Sequence, residues 1–411
     1  MEVLYPRCAG LDVHKSVIFV CALVGQGSSM IKHKWKCGTF PHQLQELKQK
    51  LLELGVTHVL MESTGVYWMP IYDALEGSLE VNVANAQHVM NVPGRKTDET
   101  DAEWLAKLLR CGLVTPSFVP PRPFRELRTV SRYRRAIVEA RAAEQNRIEK
   151  HLQIAGIKLT SVASRLDTVS GMDMLEHIAK GQTNPKELAA LARGHLRAKI
   201  PALEQAFGGT IPEHTQRMIG LQLRQLNRLD CTVAEVELEI AQKAEPYEQV
   251  IARLDAIPGI DRHGAIAILA EIGTDMTPWK THRQLAAMAG VCPGNYISAG
   301  KRLKNRSRRG NPYLKANLVQ LACSAINKQG SYFQAKYIRL KQRRGHKRAL
   351  LAIAHAILIT IYHMLKSGEP YRELGARFLT EDEKGRKKIS LVRQLEKLGC
   401  SVVLTDAPPS A

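Results

Sequence analysis

Apolar and polar positions switch between two periods along the first hundred residues. Cys8–Val13 is a short apolar run carrying Asp12 at its end, and Ser16–Val24 (SVIFVCALV) is apolar and rich in β-branched residues, the pattern of a buried strand. Gly25, Gly27 and two serines make a turn before Met30–Cys37, where alternation predicts a third strand, so that the three form a meander. At Pro41–Leu54 the period changes, and Leu44, Leu47, Leu51 and Leu54 mark one face of a helix. Thr57–Met61 reads as a strand closing on Glu62, Val66–Leu75 as a helix, Leu79–Val83 as a strand and Asp98–Cys111 as a helix.

The order βββαβαβα predicts an α/β N-terminal domain with an RNase H-like fold. The proline-rich segment 116–123 (PSFVPPRP) predicts a stiff, non-helical linker and a domain boundary. Helical spacing runs from Phe124 to about His151. It returns from Gln216 to Ala252, where Met218, Leu221, Leu226, Leu229, Val233, Val236 and Ile240 form a stripe. The two stretches are expected to pair as an antiparallel or an intermolecular coiled coil. Residues 152–215 show no packing pattern, and a third, mainly helical unit begins near Leu254. The apolar run Ala349–Leu365 is interrupted by His355, Thr360 and His363, too short and polar for a membrane span, and is expected as a buried helix.

Charge changes the picture. The chain has 411 residues, 59 Lys+Arg and 39 Asp+Glu, a net +20. Residues 276–368 hold 18 Lys/Arg and no Asp or Glu, so this block supplies nearly the whole excess. A solvated basic face is the plainer reading, but a block of one sign calls for a polyanion, and the phosphate backbone of nucleic acid is the usual one. The eight cysteines are scattered with no CxxC pair, which fits neither a disulfide framework nor a zinc ribbon and predicts a reducing compartment. The N-terminal MEVLYPRCAGLDVHK lacks a basic region followed by an apolar run, so no signal peptide is expected, and the expected location is cytoplasmic, with no membrane partner.

Candidate chemistry lies in two places. Asp12 and Glu62 end strands, and Asp98 and Asp101 stand three apart at a helix start, on one helical face. Alone, each acid has a structural reading; Asp98, for example, suits the helix dipole. Together, carboxylates from two strand ends and one helix can converge to bind two Mg²⁺ (or Mn²⁺) ions that polarise a phosphodiester. The second place is the C-terminal unit. Ile257-Pro-Gly-Ile260 resembles half of a helix-hairpin-helix, whose turn offers backbone N–H groups to phosphate, or else simply precedes a capped helix. Beyond it a loop of Gly, Pro, Asn and Ser leads into a basic run with Lys301, Arg302, Lys304, Arg306, Arg308 and Arg309, a nucleic-acid-binding candidate. Ser298, with small neighbours, is a phosphate ligand or a nucleophile. Tyr296, Tyr313, Tyr332 and Tyr337 among the cations are base-stacking platforms or core aromatics.

GLDVHK, MESTG, KTDETDA, the IPGI helix and AGVCPGNYISAGKRLKNRSRRGNPYLKANLVQ resemble the IS110 family of insertion-sequence transposases, of the DEDD class, over about 7–155 and 254–365. The resemblance implies a RuvC-like catalytic domain (1–115), a linker and helical coiled-coil insertion (116–253) and a basic transposase domain with a serine loop (254–368), followed by a tail (369–411) without an assigned role. It implies that Asp12, Glu62, Asp98 and Asp101 are the metal-binding acids and that Ser298 attacks DNA to form a phosphoserine link. It further implies a structured bridge RNA that pairs with target and donor DNA. Domains of different protomers would build a composite site in a homodimer or homotetramer, in a nucleoid-associated bacterial protein. Ser298-Ala-Gly stands where other members have Ser-Gly-Gly, and alanine is small enough that no loss is expected. Two other readings use the same residues: a RuvC-like, metal-dependent, structure-specific nuclease with water as nucleophile, and a non-catalytic nucleic-acid-binding protein with structural acids.

Overall fold

The computed structural model describes residues 3–63, 65–86, 89, 101–293, 296–298, 301–304, 310–376, 381–399 and 401–403. The chain divides into two compact units, Met1–Val119 and Pro120–Ala411.

The first unit is a five-stranded sheet of order β3-β2-β1-β4-β5, formed by β1 (Arg7–Val13), β2 (Val17–Val24), β3 (Ile31–Gly38), β4 (His58–Glu62) and β5 (Glu80–Ala84). The first three strands are the expected antiparallel meander, while β1, β4 and β5 run parallel. Strand residues alternate between two cores. Ala9, Leu11, Ile18, Val20, Val59, Met61 and Val83 pack under α1 (Pro41–Glu53) and α2 (Trp68–Leu75). Cys8, Cys21, Leu23, Leu60 and Ala84 pack under α3 (Asp101–Arg110) on the opposite face. Helices lie on both faces of the sheet, which is why β1, β2 and β4 read as apolar runs, while the edge strand β3 alternates. Residues 98–100 of the expected third helix lie outside the described residues.

The second unit opens with α4 (Arg122–Ile154), which starts inside the proline-rich segment rather than after it. Pro123 occupies the first helical turn, where its missing N–H costs nothing and its fixed φ suits the helix. Four short helices follow: Leu159–Val162, Val169–Ala179, Pro185–Ala190 and Ile200–Ala206 (α5 to α8). The region whose packing the sequence left unread is therefore a compact tip. Its core is Ile148, Leu152, Leu159, Met174, Leu175, Ile178, Leu188, Leu203 and Phe207, with Ile219, Leu223 and Leu226 of α9 (Glu213–Ala244).

Helices α4 and α9 pair antiparallel within the chain. Glu126 meets Lys243 at 3.0 Å, Arg134 meets Glu237 at 2.5 Å and Arg141 meets Asp230 at 2.5 Å, so one index rises as the other falls. The buried stripe of α9 differs from the expected one at its start. Ile219, Gln222 and Leu223 face inward, while Met218 and Leu221 are exposed. The helix also stops at Ala244, short of Ala252, because Pro246 cannot continue an α-helical ladder; a 3₁₀ turn (Glu245–Tyr247) and α10 (Glu248–Asp255) follow.

The remaining elements are α11 (Arg262–Ile272), α12 (His282–Ala289), a two-stranded ribbon β6 (Tyr296–Ser298) and β7 (Lys301–Lys304), α13 (Pro312–Ala325), α14 (Tyr332–Arg344), α15 (His346–Ser367) and α16 (Glu381–Lys397). Helix α15 contains the apolar run 349–365. It is long and apolar enough to cross a membrane, yet Ala349, Ile353, Ala354, Ile357, Leu358 and Ile361 are buried against other helices of the unit, as a core helix requires.

Candidate functional site

Strand β1 and helix α3 approach until backbone meets backbone at Gly10. A Cβ there would stand 2.1 Å from the Ala102 carbonyl oxygen and 2.4 Å from the Ala106 nitrogen, so only glycine allows the contact. Two residues earlier, the Cys8 Sγ lies 3.6 Å from the Ala106 carbonyl. Strand positions 8 and 10 thus match helix positions 106 and 102, and the two elements run antiparallel. Asp12, the next residue on that face, lies beyond Gly10 towards the end of the helix where Asp101 is the first described residue.

Strand β4 brings Glu62 to the same place. Leu11 pairs with Met61 across β1 and β4, and Glu62 pairs with Ala84, which belongs to the core beneath α3. Asp12 and Glu62 therefore end neighbouring parallel strands on the α3 face. The C-terminal ends of parallel strands are where open α/β sheets place their ligands. His14 Nε2 lies 3.1 Å from Asp12 Oδ2 and holds that carboxylate from the strand end. Among the described residues, no three His, Cys, Asp or Glu side chains come close enough to chelate an ion; Asp98 lies outside the described residues. The set of hard oxygen donors fits Mg²⁺ or Mn²⁺.

One acid of this helix was not singled out from sequence. Glu103 is 4% exposed and is gripped by Lys32 at 2.5 Å, by Lys34, and by Lys107 at 3.3 Å. Burial alone would raise its pKa, but the hydrogen bonds from the three ammonium groups outweigh it and hold the carboxyl down at about 2. Lys32 and Lys34 sit two apart on β3, opposite Leu23 and Cys21, so both point to the α3 face. The alternating lysines of IKHKWKC were the available signal: a strand face that repeats a cation beneath a helix needs an acid there.

In the second unit, Ser298 ends β6 and pairs in register with Lys301; Ile297 pairs with Arg302, Tyr296 with Lys304, and a bulge falls between Tyr296 and Ile297. The expected loop is thus a short antiparallel ribbon carrying Ser298, Lys301, Arg302 and Lys304. Arg306, Arg308 and Arg309 lie outside the described residues. The chain leaves this region through Gly310, whose Cβ would stand 2.3 Å from the Gly290 nitrogen, and Asn311, whose N–H donates to the Met288 carbonyl at 2.8 Å. Asn311 caps α13 through its Oδ1, and its Nδ2 donates to Glu271 Oε2 at 2.5 Å. Glu271 is buried, and it also receives Arg132 at 2.8 and 2.9 Å and Arg128 at 3.2 Å. Burial lowers the Arg128 guanidinium to about 10. Arg132 in turn lies over the Tyr313 ring at 4.1 Å, so this tyrosine is a platform for a protein cation. Tyr332 is buried, and Tyr337 donates to or accepts from His346 Nδ1 at 2.7 Å.

The IPGI turn is closed rather than open. Ile257, Pro258 and Ile260 are buried, and a Cβ at Gly259 (φ +84°) would stand 2.3 Å from the Ala325 nitrogen. The turn packs on α13, and Asp261 caps α11 by accepting from the Gly264 N–H at 2.8 Å. The capped-helix reading describes it.

Two family models match the chain. One, described as Transposase and of the DEDD type, covers residues 9–157; the other, described as Transposase IS116/IS110/IS902 family, covers residues 251–338. A comparison with curated proteins found no match.

Proposed function

Because the chain belongs to the IS110 family of DNA transposases, we propose that it cuts and rejoins the DNA strands of an insertion sequence, with Asp12, Glu62, Asp98 and Asp101 as a divalent-metal site and the Ser298 hydroxyl as nucleophile. The observation that supports this reading is that Asp12 and Glu62 stand at the ends of neighbouring parallel strands on one face of the sheet, the face that α3 covers. Like-charged carboxylates repel unless a cation lies among them. When bound, Mg²⁺ or Mn²⁺ polarises the scissile phosphodiester and neutralises charge developing on it. Strand register holds Asp12 and Glu62, and the Gly10 contact fixes where α3 lies along β1. The sheet order, with its antiparallel meander beside parallel strands, supports an RNase H/RuvC-like reading of residues 1–115.

The Ser298 Oγ attacks phosphorus: the Oγ–P bond forms as the P–O bond to the departing strand breaks, and the serine proton leaves with that strand's hydroxyl. Rejoining reverses this, as a strand-end hydroxyl attacks the phosphoserine and releases the serine. Lys301, Arg302 and Lys304, with Arg306, Arg308 and Arg309, supply counter-charge to the phosphates. The acid-free block 276–368 supports a structured guide RNA as a second polyanion, to which the choice of DNA sequence belongs. On this reading 116–253 is a helical insertion, 254–368 the serine domain and 369–411 a tail, and the working form is a homodimer or homotetramer.

The test is a labelled, nicked DNA substrate carrying the element's ends, resolved under denaturing conditions. Label should migrate with the protein, map to the peptide containing Ser298 and vanish in Ser298→Ala. It should also vanish in Asp12→Asn and in a chelator. Full-rate cutting by Ser298→Ala with no adduct makes water the nucleophile and the protein a nuclease. DNA binding without cutting in any metal removes catalysis altogether.

A further inference from the structure

Phe19 stands on an interior strand, yet it is 41% exposed while its neighbours Ile18 and Val20 are buried at 0% and 2%. It lies on the α3 face, in register with Asp12 on one side and Lys36 on the other. The rows behind it on that face are occupied: Cys21 stands between Gly10 and Lys34, and Leu23 between Cys8 and Lys32, with α3 across them. Read across the strands, this row is acid, aromatic ring, cation, at steps of about 4.8 Å.

The neighbours of the row sharpen its chemistry. The His14 ring meets Phe19 edge-on at 5.8 Å while its Nε2 touches Asp12. Lys32 and Lys34 are engaged by Glu103, whereas Lys36 is exposed and has no ion pair among the described residues. An exposed aromatic face beside a cation is how proteins seat single-stranded nucleic acid without reading its sequence: the ring stacks on a base and the ammonium meets the backbone.

We propose that Phe19 and Lys36 form a ledge that seats the DNA strand to be cut. Phe19 stacks on the base beside the scissile phosphate, and Lys36 holds a neighbouring phosphate. The ledge places that phosphate over Asp12 and keeps the strand unpaired there. It rests on the reading of the acids as the cutting site.

The experiment uses the full-length protein in Mg²⁺ with a mixed-sequence 20-nucleotide single-stranded DNA carrying 5-iododeoxyuridine, and the RNA of the same sequence. Irradiation should link the DNA to the peptide containing Phe19. In Phe19→Ala that link should disappear and DNA affinity fall about fivefold or more, with Phe19→Trp restoring both. Lys36→Gln should flatten the log–log salt slope by about 0.7. Unchanged affinity and slope with no link at Phe19 overturns the ledge, as does a loss seen only with RNA. A shift confined to oligomeric state also overturns it, by giving the face to a second copy. Asp12→Asn, assayed for strand cutting on the element's own ends, separates this from the underlying reading. If Asp12→Asn still cuts, the acid site fails; if it does not cut while Phe19→Ala and Lys36→Gln bind and cut as wild type, the ledge alone fails.

Discussion

Arg132 meets Glu271 through two parallel N–H···O bonds of 2.8 and 2.9 Å, and the same carboxylate accepts from Asn311, the cap of the helix that follows the basic ribbon. A bidentate pair of this kind fixes orientation as well as distance. It ties α4, α11 and the exit of the ribbon to one buried point. Glu271→Ala leaves Arg128 and Arg132 facing a void with their charge uncompensated, and we expect a loss of about 3 kcal/mol in chemical denaturation. Glu271→Gln, which keeps the shape and one acceptor, should lose less. Equal stability of Glu271→Ala and wild type would show that the network holds nothing in place.

Gly10→Ala tests the seating of α3. A methyl 2.1 Å from the Ala102 oxygen cannot be absorbed by a side-chain rotation, because both partners are backbone. The helix must lift from the strand, at a cost of about 3 kcal/mol. Strand cutting should fall well beyond what that loss of stability explains, since Asp101 moves with the helix. Normal cutting by a folded Gly10→Ala protein would show that the helix position is immaterial.

Acid should weaken the helical tip through Asp167. Hydrogen bonds from Arg165, at 2.8 and 2.6 Å, come first in holding its carboxyl down at about 2, below an ordinary 3.8. A depressed folded-state pKa gives stability that is present above about 3.8 and lost as pH falls towards 2. Urea midpoints of wild type should therefore drop more between about pH 6 and about pH 2 than those of Asp167→Asn. Parallel curves would assign the acid sensitivity to other groups.

Binding to nucleic acid should be steeply salt-dependent. A footprint neutralising about six phosphates gives a log–log slope of about −5. Reversing Arg306, Arg308 and Arg309 should make the slope shallower and weaken binding to unrelated sequences alike, because phosphate contacts carry little sequence information. A salt-insensitive complex, or a loss for one sequence alone, contradicts the assignment of the block.

The elements of the first unit were legible because strand and helix periods differ locally, over five to ten residues, about the length of single elements. Asp12 and Glu62 stood out for the same reason: an acid closing an apolar run has no place in the core. Glu103 did not, since an acid in the first turn of a helix, with Lys107 one turn on, needs no other partner to justify it, and Lys32 lies 71 residues earlier. Glu271 was hidden likewise, with Arg132 139 residues and Asn311 40 residues away. The ribbon at Tyr296–Lys304 escaped because its strands are three and four residues long, too short to show a period, and the second is largely basic. Pro246 was readable and was the one local signal the helical stripe overrode.

The antiparallel pairing of α4 and α9 has a consequence for how such a chain can change over time. A helix of 33 residues carries the backbone outward by about 50 Å, and its partner brings the backbone back alongside. The chain re-enters beside its point of departure, so the excursion is a side-branch rather than a segment of the through-route. Whatever grows at its far end is free to lengthen, shorten or be exchanged, as long as the two helices of the stalk keep their cation–acid rungs. Novelty at the tip then leaves the threading of the rest untouched.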